Sequence, residues 1–483
     1  MNKSTIRQYF LPALGQKIFQ NGYSGRGKIM PNHFTAEAKL KHDAEAIFKA
    51  GLQAVDPGAC IRKWVRMEKD RLLIGDEPLP LNEIRRVFVL GIGKASAAMA
   101  AEVENLLGHR IHAGLIITKY GHGRFLRHCR IMEAGHPVPD HNGVTAARAL
   151  IDLVSTAGPE DLVLCLISGG GSALSPAPAQ GISLEDKQAV TRLLLECGAT
   201  IQEINSIRKH LSRLKGGQLC RSTQKARVVS LILSDVIGDD LDIIASGITA
   251  PDPDTFDRCR QILTQYGILQ SVPAAVREHL DQGCSGQIQE TPKPGDPVFD
   301  TTLNIIVGSL DDALTAAEEK ARFLGFHPLR LTSMLQGEAR EAARFLCSII
   351  KEVHRSRKPV PCPACLLSGG ETTVRIKGEG LGGRNMELAL AASLELSGLP
   401  QTMLLSAGTD GTDGPTDAAG AFAAGSTASR AKARELSPKQ YLERNDSYNF
   451  FKEIDELFIT GPTGTNVMDM QIMLVGNDWE YVP

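Results

Sequence analysis

The sequence lacks several features that would assign it to a specialised class of protein. None of its apolar runs reaches the roughly 18 residues that a membrane-spanning helix needs. The net charge is only −2, so no excess of one sign indicates a nucleic acid or an anionic membrane as partner. A Walker A loop and a G-x-S-x-G elbow are also missing. We therefore expect a cytoplasmic protein whose partners are small molecules.

Paired cysteines are scarce as well. Among ten Cys, Cys362 and Cys365 form a C-x-x-C motif, but it stands among prolines and no second pair follows. A structural zinc site needs about four ligands. Zinc is therefore not expected, and the scattered remaining cysteines are typical of reduced thiols in a cytosolic protein.

Apolar, strand-like runs alternate with helical segments along most of the chain, and many of its 47 glycines follow the strands. This alternation predicts an α/β fold with a mainly parallel sheet covered by helices on both faces. The pattern restarts near residue 300. We expect an N-terminal extension at 1–33, a larger Rossmann-like α/β domain at 34–290 and a second α/β domain at 300–478.

A glycine turn follows the first long apolar strand. Gly91 and Gly93 begin a dinucleotide fingerprint, but Ser96 replaces its third glycine and the next strand ends in Lys119 instead of an acidic residue. Both departures argue against NAD. The turn still lets the backbone approach an anion, and Lys94 beside it would attract phosphate or carboxylate. The alternative is a tight turn with a solvated lysine.

A second glycine loop has the stronger signal for an anion site. It follows a buried strand directly, and its successive N–H groups could form a backbone nest. Its residues are Ser168, Gly169, Gly170, Gly171 and Ser172. Farther along, a basic segment carries side chains that either face a triphosphate or form a solvated helix face: Arg208, Lys209, Arg213 and Lys215. We take Lys215 as a candidate phosphate ligand.

Acidic residues stand at the ends of two other predicted strands. Asp235 and Asp239 follow one of them, where a carboxylate suits Mg²⁺ or a substrate hydroxyl, or simply caps the turn. Asp410 and Asp413 lie in the Asp- and Gly-rich loop Thr409–Asp417, which has enough carboxylates for a cation that also binds phosphates. Arg384 follows two glycines at a predicted helix start and has the geometry to bind a carboxylate or a phosphoryl group.

These motifs together resemble the glycerate 2-kinase family, whose C-terminal half is called the MOFRL domain. The resemblance covers about residues 36–477. The matching stretches are VLGIGKASAAMA, GHPVPD, LISGGGSAL, EINSIRKHLSRLKGGQL, LSDVIGDDLDIIASGITAPDP, LLSGGETTV, GGRNMELAL, SAGTDGTDGPTDAAG and GPTGTNVMDMQI.

The resemblance implies two α/β domains with the active site in the cleft between them. It implies ATP and Mg²⁺, and phosphorylation of D-glycerate at its 2-hydroxyl to give 2-phosphoglycerate and ADP. Lys94 and Arg384 match the cleft cations of the family, and Asp235 matches its S-D-V aspartate. Whether the chain is a monomer or a homodimer stays open.

Our hypothesis places ATP along the glycine loops, with Mg²⁺ bridging its phosphates. Lys94 neutralises charge, Arg384 orients the substrate carboxylate or the γ-phosphoryl group, and an aspartate acts as base or metal ligand. Asp235 is the first choice for that aspartate, followed by Asp410 or Asp413. The rival interpretations are a hydroxypyruvate reductase, which requires nicotinamide binding, and a non-catalytic sensor of phosphorylated metabolites, which requires no ATP turnover.

Overall fold

The structure is a computed structural model that describes residues 36–477. The expected N-terminal extension, residues 1–33, lies outside the described residues. The described chain belongs to one compact unit with two six-stranded sheets and one three-stranded sheet. Within residues 36–477, no helix combines the length and the apolar character that crossing a membrane requires.

Residues 36–308 contain nine strands and ten α-helices. The strands are β1 (Val65–Glu68), β2 (Arg71–Ile74), β3 (Glu77–Pro80), β4 (Val87–Ile92), β5 (Ile111–Lys119), β6 (Cys129–Ala134), β7 (Leu162–Ile167), β8 (Arg227–Leu233) and β9 (Thr302–Gly308). The helices are α1 (Ala36–Ala54), α2 (Pro57–Trp64), α3 (Ser96–Leu107), α4 (His141–Val154), α5 (Gly171–Leu174), α6 (Leu184–Glu196), α7 (Ile201–His210), α8 (Gln218–Ser222), α9 (Phe256–Gln265) and α10 (Ala274–Cys284).

The first six-stranded sheet has the order β6-β5-β4-β7-β8-β9, and all its neighbouring strands are parallel. Every residue of β4 and β7 is buried, which explains their uninterrupted apolar sequences. The chain moves outward from β4 to β6 and then resumes at β7 on the other side of β4. This reversal opens a crevice at the carboxyl ends of β4 and β7, where open α/β sheets bind ligands. The predicted Rossmann-like parallel sheet is confirmed.

The second six-stranded sheet is mixed. Its strands are β10 (His327–Leu335), β11 (Ala364–Gly370), β12 (Thr402–Gly408), β13 (Gly420–Ala424), β14 (Leu457–Phe458) and β15 (Asp469–Val475). The accompanying helices are α11 (Leu310–Phe323), α12 (Ala339–Ser356), α13 (Arg384–Glu395), α14 (Thr427–Ala433), α15 (Pro438–Glu443) and α16 (Ser447–Glu453). The strand order is β10-β11-β15-β12-β13-β14. β10 and β11 are parallel, whereas β15 lies antiparallel between β11 and β12.

Two elements lie on the other side of the expected boundary. Strand β9, expected to open the domain at 300–478, pairs with β8 in the first sheet. Helix α1, expected in the domain at 34–290, buries Phe48 against Phe458 beside the second sheet, with ring centroids 5.2 Å apart. We therefore define the first lobe as residues 57–308 and the second lobe as residues 36–54 and 310–475. One apolar core includes residues of both sheets.

Candidate functional site

The two glycine loops of the first lobe hold each other at the carboxyl ends of β4 and β7. The backbone N–H of Lys94 donates to the carbonyl of Gly169 at 2.9 Å, and that of Ala95 donates to Ser168 Oγ at 3.0 Å. Gly93 has a φ of +132°, and a Cβ there would lie 2.3 Å from Ser168 Oγ. Only glycine permits this close approach.

This contact changes the expectation that Gly91 and Gly93 bind phosphate. Gly91 lies inside strand β4, and the N–H of Gly93 donates to the carbonyl of Ile117 at 3.1 Å. Because Lys94 and Ala95 also use their N–H groups within the protein, the first turn keeps no amide for an anion. Close packing explains the presence of glycine at both positions instead.

The second glycine loop, Ser168–Ser172, keeps its donors available. Within the described chain, the backbone N–H groups of Gly169, Gly170, Gly171 and Ser172 donate to no protein acceptor. A Cβ at Gly169 would lie 2.1 Å from Asp235 Oδ2, so the carboxylate rests directly against this loop. Four free amides beside one carboxylate form a site for an anion, alone or with a cation.

Lys94 of the first lobe meets Asp410 of the second lobe. Lys94 Nζ lies 3.7 Å from Asp410 Oδ2, while the backbone N–H and the hydroxyl of Thr412 each donate to Asp410 Oδ1 at 3.1 Å. Both residues line a cavity of about 420 Å³, which we call the cleft cavity. The other polar side chains that line it are Lys119, His122, Arg124, Ser168, Thr412, Thr463, Thr465 and Asn466.

The electrostatic field at this crevice favours anions. Burial, together with Lys94 and Lys119, lowers the pKa of His136 to about 4, so its ring is neutral at pH 7. Burial raises the pKa of Asp235 to about 6, and Lys94 only partly opposes this rise. Burial also raises the pKa of Glu371, which lies within electrostatic reach of Lys94 and Asp410. The site thus combines fixed cations with carboxylates that hold a proton more readily than usual.

Arg384, at the start of α13, is held by carboxylates of the protein. Its Nε and Nη2 contact the two oxygens of Asp469 at 2.5 and 2.9 Å, and its Nη1 lies 3.0 Å from Glu371 Oε1. The sequence did not lead us to Asp469 or Glu371. Their available signals were an acidic residue opening an apolar strand and another directly after a Ser-Gly-Gly turn.

Two predicted acidic residues lie elsewhere. Asp413 is 2 % exposed and caps α13, since its Oδ1 accepts from the N–H of Asn385 and its Oδ2 from the N–H of Met386. Asp239 lies in the 3-10 turn Ile237–Asp239 and lines neither of the cavities beside the Ser168–Ser172 loop. Neither carboxylate lines these two cavities, and their expected position near substrate or metal stays a prediction.

A larger cavity lies on the other side of the Ser168–Ser172 loop and belongs to the first lobe alone. This first-lobe cavity has a volume of about 690 Å³, and Gly170, Gly171, Ser172 and Asp235 line it. Lys215 lines it too, with its ammonium 2.9 Å from the carbonyl of Ser172. Sequence reasoning singled out neither of two further lining residues: His136, which lies in the matching stretch GHPVPD, and Lys187, which stands in a helical segment without a motif.

Known proteins resemble both parts of the chain. Residues 43–281 match a family described as a domain of unknown function, DUF4147, and residues 364–469 match the MOFRL family. A Thermotoga maritima protein named D-glycerate 2-kinase is 44 % identical over 90 % of this chain and 98 % of its own length. A protein from Agrobacterium vitis, described only provisionally as a hydroxypyruvate reductase, is 43 % identical over 94 % of this chain and 97 % of its own. The crystal structure of a glycerate kinase from Thermotoga maritima matches with a TM-score of 0.81 and 43 % identity, over 90 % of this chain and 99 % of that one.

Proposed function

This chain belongs to the glycerate 2-kinase family, and we propose that Lys94, Asp235 and Asp410 surround the phosphoryl group that it transfers. The chain is an ATP-dependent glycerate 2-kinase: it converts D-glycerate and ATP to 2-phosphoglycerate and ADP. We place the site here because Lys94 of the first lobe approaches Asp410 of the second lobe, beside the free amides of the Ser168–Ser172 loop.

The reaction forms one bond and breaks another at the γ-phosphorus. The oxygen of the 2-hydroxyl attacks this phosphorus, and the bond to the oxygen that bridges to the β-phosphate breaks, so that ADP leaves. The hydroxyl proton passes to a carboxylate. Asp235 suits this role because its pKa of about 6 lies close to neutral pH, where a base both is ionised and holds a proton well.

Charge on the transferring group needs fixed partners. The Lys94 ammonium supplies a positive charge at the crevice, and the amides of Gly169–Ser172 supply oriented donors. Such groups stabilise a transition state because they are held in place before the reaction begins. Arg384 acts as a positioning residue in this scheme, since it fixes Asp469 and Glu371 at the edge of the site.

Mg²⁺ is part of the proposal, and the chemistry of the available carboxylates fits it. Residues 36–477 contain no cluster of three or more His, Cys, Asp or Glu side chains that would cage a metal. Mg²⁺ that accompanies nucleotides needs only one or two carboxylates besides phosphate oxygens and water. With Asp235 assigned as the base, Asp410 would supply one such carboxylate, and the ion would neutralise phosphate charge when bound.

The rival function, reduction of hydroxypyruvate, lacks support in the first glycine turn. The amides of Lys94 and Ala95, where a dinucleotide pyrophosphate would bind, are already used by Gly169 and Ser168. The test follows ADP release from ATP with D-glycerate and Mg²⁺, each omitted in turn. Parallel samples contain NADH and hydroxypyruvate. Release of ADP that requires all components, without oxidation of NADH, supports the kinase; the reverse result contradicts it.

A further inference from the structure

The first-lobe cavity is lined by basic side chains that have no carboxylate partner within residues 36–477. Lys187 and Lys215 are 8 % and 1 % exposed, and their ammonium groups contact backbone carbonyls of Leu211, Ser172 and Ser175. Arg208 has no hydrogen-bond or ion-pair partner within residues 36–477. Among all residues that line the cavity, Asp235 is the one carboxylate. Basic groups held without counter-ions gain most when a polyanion binds beside them, so the cavity suits a ligand with several negative charges.

Beside polar residues such as Gln188, Thr191 and Asn205, the wall also has an apolar part. Leu184, Leu195 and Ile201 line the cavity, and the last two are 62 % and 50 % exposed. Apolar rim residues that face an open cavity suit the flat face of a base better than a small polar acid. At about 690 Å³ the cavity is also far larger than a three-carbon acid requires, whereas cavities of this size hold drug-sized ligands.

The cleft cavity has the opposite character. It is smaller, at about 420 Å³, and charged residues and hydroxyl groups from both lobes line much of its wall. Lys119 and Arg124 offer partners for a carboxylate there. The Ser168–Ser172 loop and Asp235 separate the two cavities, so a group at this loop is accessible from either side.

We propose that the nucleotide occupies the first-lobe cavity, with its phosphates on Lys187, Arg208 and Lys215 and its base against Leu195 and Ile201. The γ-phosphoryl group then lies at the Ser168–Ser172 loop. D-Glycerate enters from the cleft cavity and meets it in line. This assignment rests on the proposed function for the identity of the nucleotide, and it makes the apolar rim the determinant of base preference.

The test measures the Kd of ADP by calorimetry, together with KM for ATP and for D-glycerate. Arg208→Gln removes the unpartnered cation, and Arg213→Gln, an exposed cation just beyond α7 that does not line the cavity, is its control. Leu195→Asp places a negative charge at the rim, and Phe345→Asp, at a residue 64 % exposed on α12, is the matched control. Leu195 is exposed, so its replacement does not endanger folding.

Both cavity variants should raise the Kd of ADP at least about tenfold and KM for ATP in parallel, with KM for D-glycerate nearly unchanged. The controls should match the parent protein. A rise in KM for D-glycerate alone would place the acid in this cavity and overturn the assignment, as would unchanged ADP binding in both variants. If the parent protein bound ADP through Arg208 but phosphorylated no glycerate, the proposed function would fail and the nucleotide site would stand.

Discussion

Asp469 fixes Arg384 through two parallel contacts, from Nε to Oδ2 at 2.5 Å and from Nη2 to Oδ1 at 2.9 Å. Asp469 begins the central strand β15 and is fully buried, whereas one third of the Arg384 side chain is exposed. The pair joins the start of α13 to the centre of the second sheet. Bidentate pairs fix orientation as well as distance, so Arg384 presents a defined face to Glu371.

Asp469→Asn should reduce both stability and activity. An amide in place of one carboxylate oxygen turns N–H groups toward the guanidinium, which should lower the free energy of unfolding by about 2 kcal/mol. With Arg384 released, kcat should fall about tenfold or more. Urea unfolding and steady-state kinetics measure the two effects. Asp455→Asn, which removes an exposed ion pair to Arg434 at 3.8 Å, is the control and should change neither.

Lys94→Met removes the cleft ammonium and keeps the length of the side chain. Without a fixed cation at the transferring group, kcat should fall about a thousandfold. Unfolding midpoints should stay close to that of the parent, because Lys94 makes only a 3.7 Å ion pair. Lys432→Met, at an exposed residue of α14, serves as control. Near-normal turnover in Lys94→Met would show that this lysine does not take part in the reaction.

The pH dependence of kcat/KM should report the ionisation of Asp235. Since its pKa is raised to about 6 by burial, the carboxylate accepts protons above pH 6 and is increasingly protonated below it. Activity should therefore be level near pH 7.5 and fall toward tenfold per pH unit below pH 6. Asp235→Asn should retain little activity and lose this acidic limb, which controls for titration of ATP itself. If kcat/KM of Asp235→Asn still fell at acidic pH, this pH dependence would belong to another titrating group.

Nucleotide binding should take up protons. Burial, with a further contribution from Arg208, lowers the pKa of Lys187 to about 7, so at pH 8 much of this lysine is neutral in the empty cavity. Phosphates beside it would raise its pKa again. Calorimetry of ADP binding at pH 8 in buffers with different ionisation enthalpies should therefore give different apparent enthalpies. Burial also lowers the pKa of Lys215, so Lys187→Met should reduce the buffer dependence without removing it. Equal enthalpies for the parent protein would contradict proton uptake in this cavity.

Local pattern was sufficient to predict much of the first lobe. The buried runs of β4 and β7 and the glycines behind them indicated parallel strands, and the reversal of strand order brings the two loops together. The partner of each loop was not predictable. The backbone N–H groups of Lys94 and Ala95 in the first turn donate to the second loop, so only the Ser168–Ser172 loop has N–H groups left for an anion. A glycine motif alone does not reveal which of its N–H groups are already used.

Contacts between distant segments account for what the sequence did not reveal. Strand β15 inserts between β11 and β12, and this insertion brings Asp469 to Arg384. The short antiparallel sheet β1–β3 gave no pattern that we recognised. Asp413 resembles a metal ligand in its Asp- and Gly-rich loop, yet it caps a helix that begins far earlier in the chain. Spacing along the chain carries no information on such pairings.

Phosphorus NMR of the purified protein with ATP, Mg²⁺ and D-glycerate tests the central claim most directly, because it identifies both the reaction and the position of the new bond. The account predicts that the γ-phosphate signal of ATP decreases while ADP and a 2-phosphoglycerate resonance increase together, and that Lys94→Met abolishes this change. A 3-phosphoglycerate resonance would contradict transfer to the 2-hydroxyl, and ATP that stays intact would contradict the kinase itself.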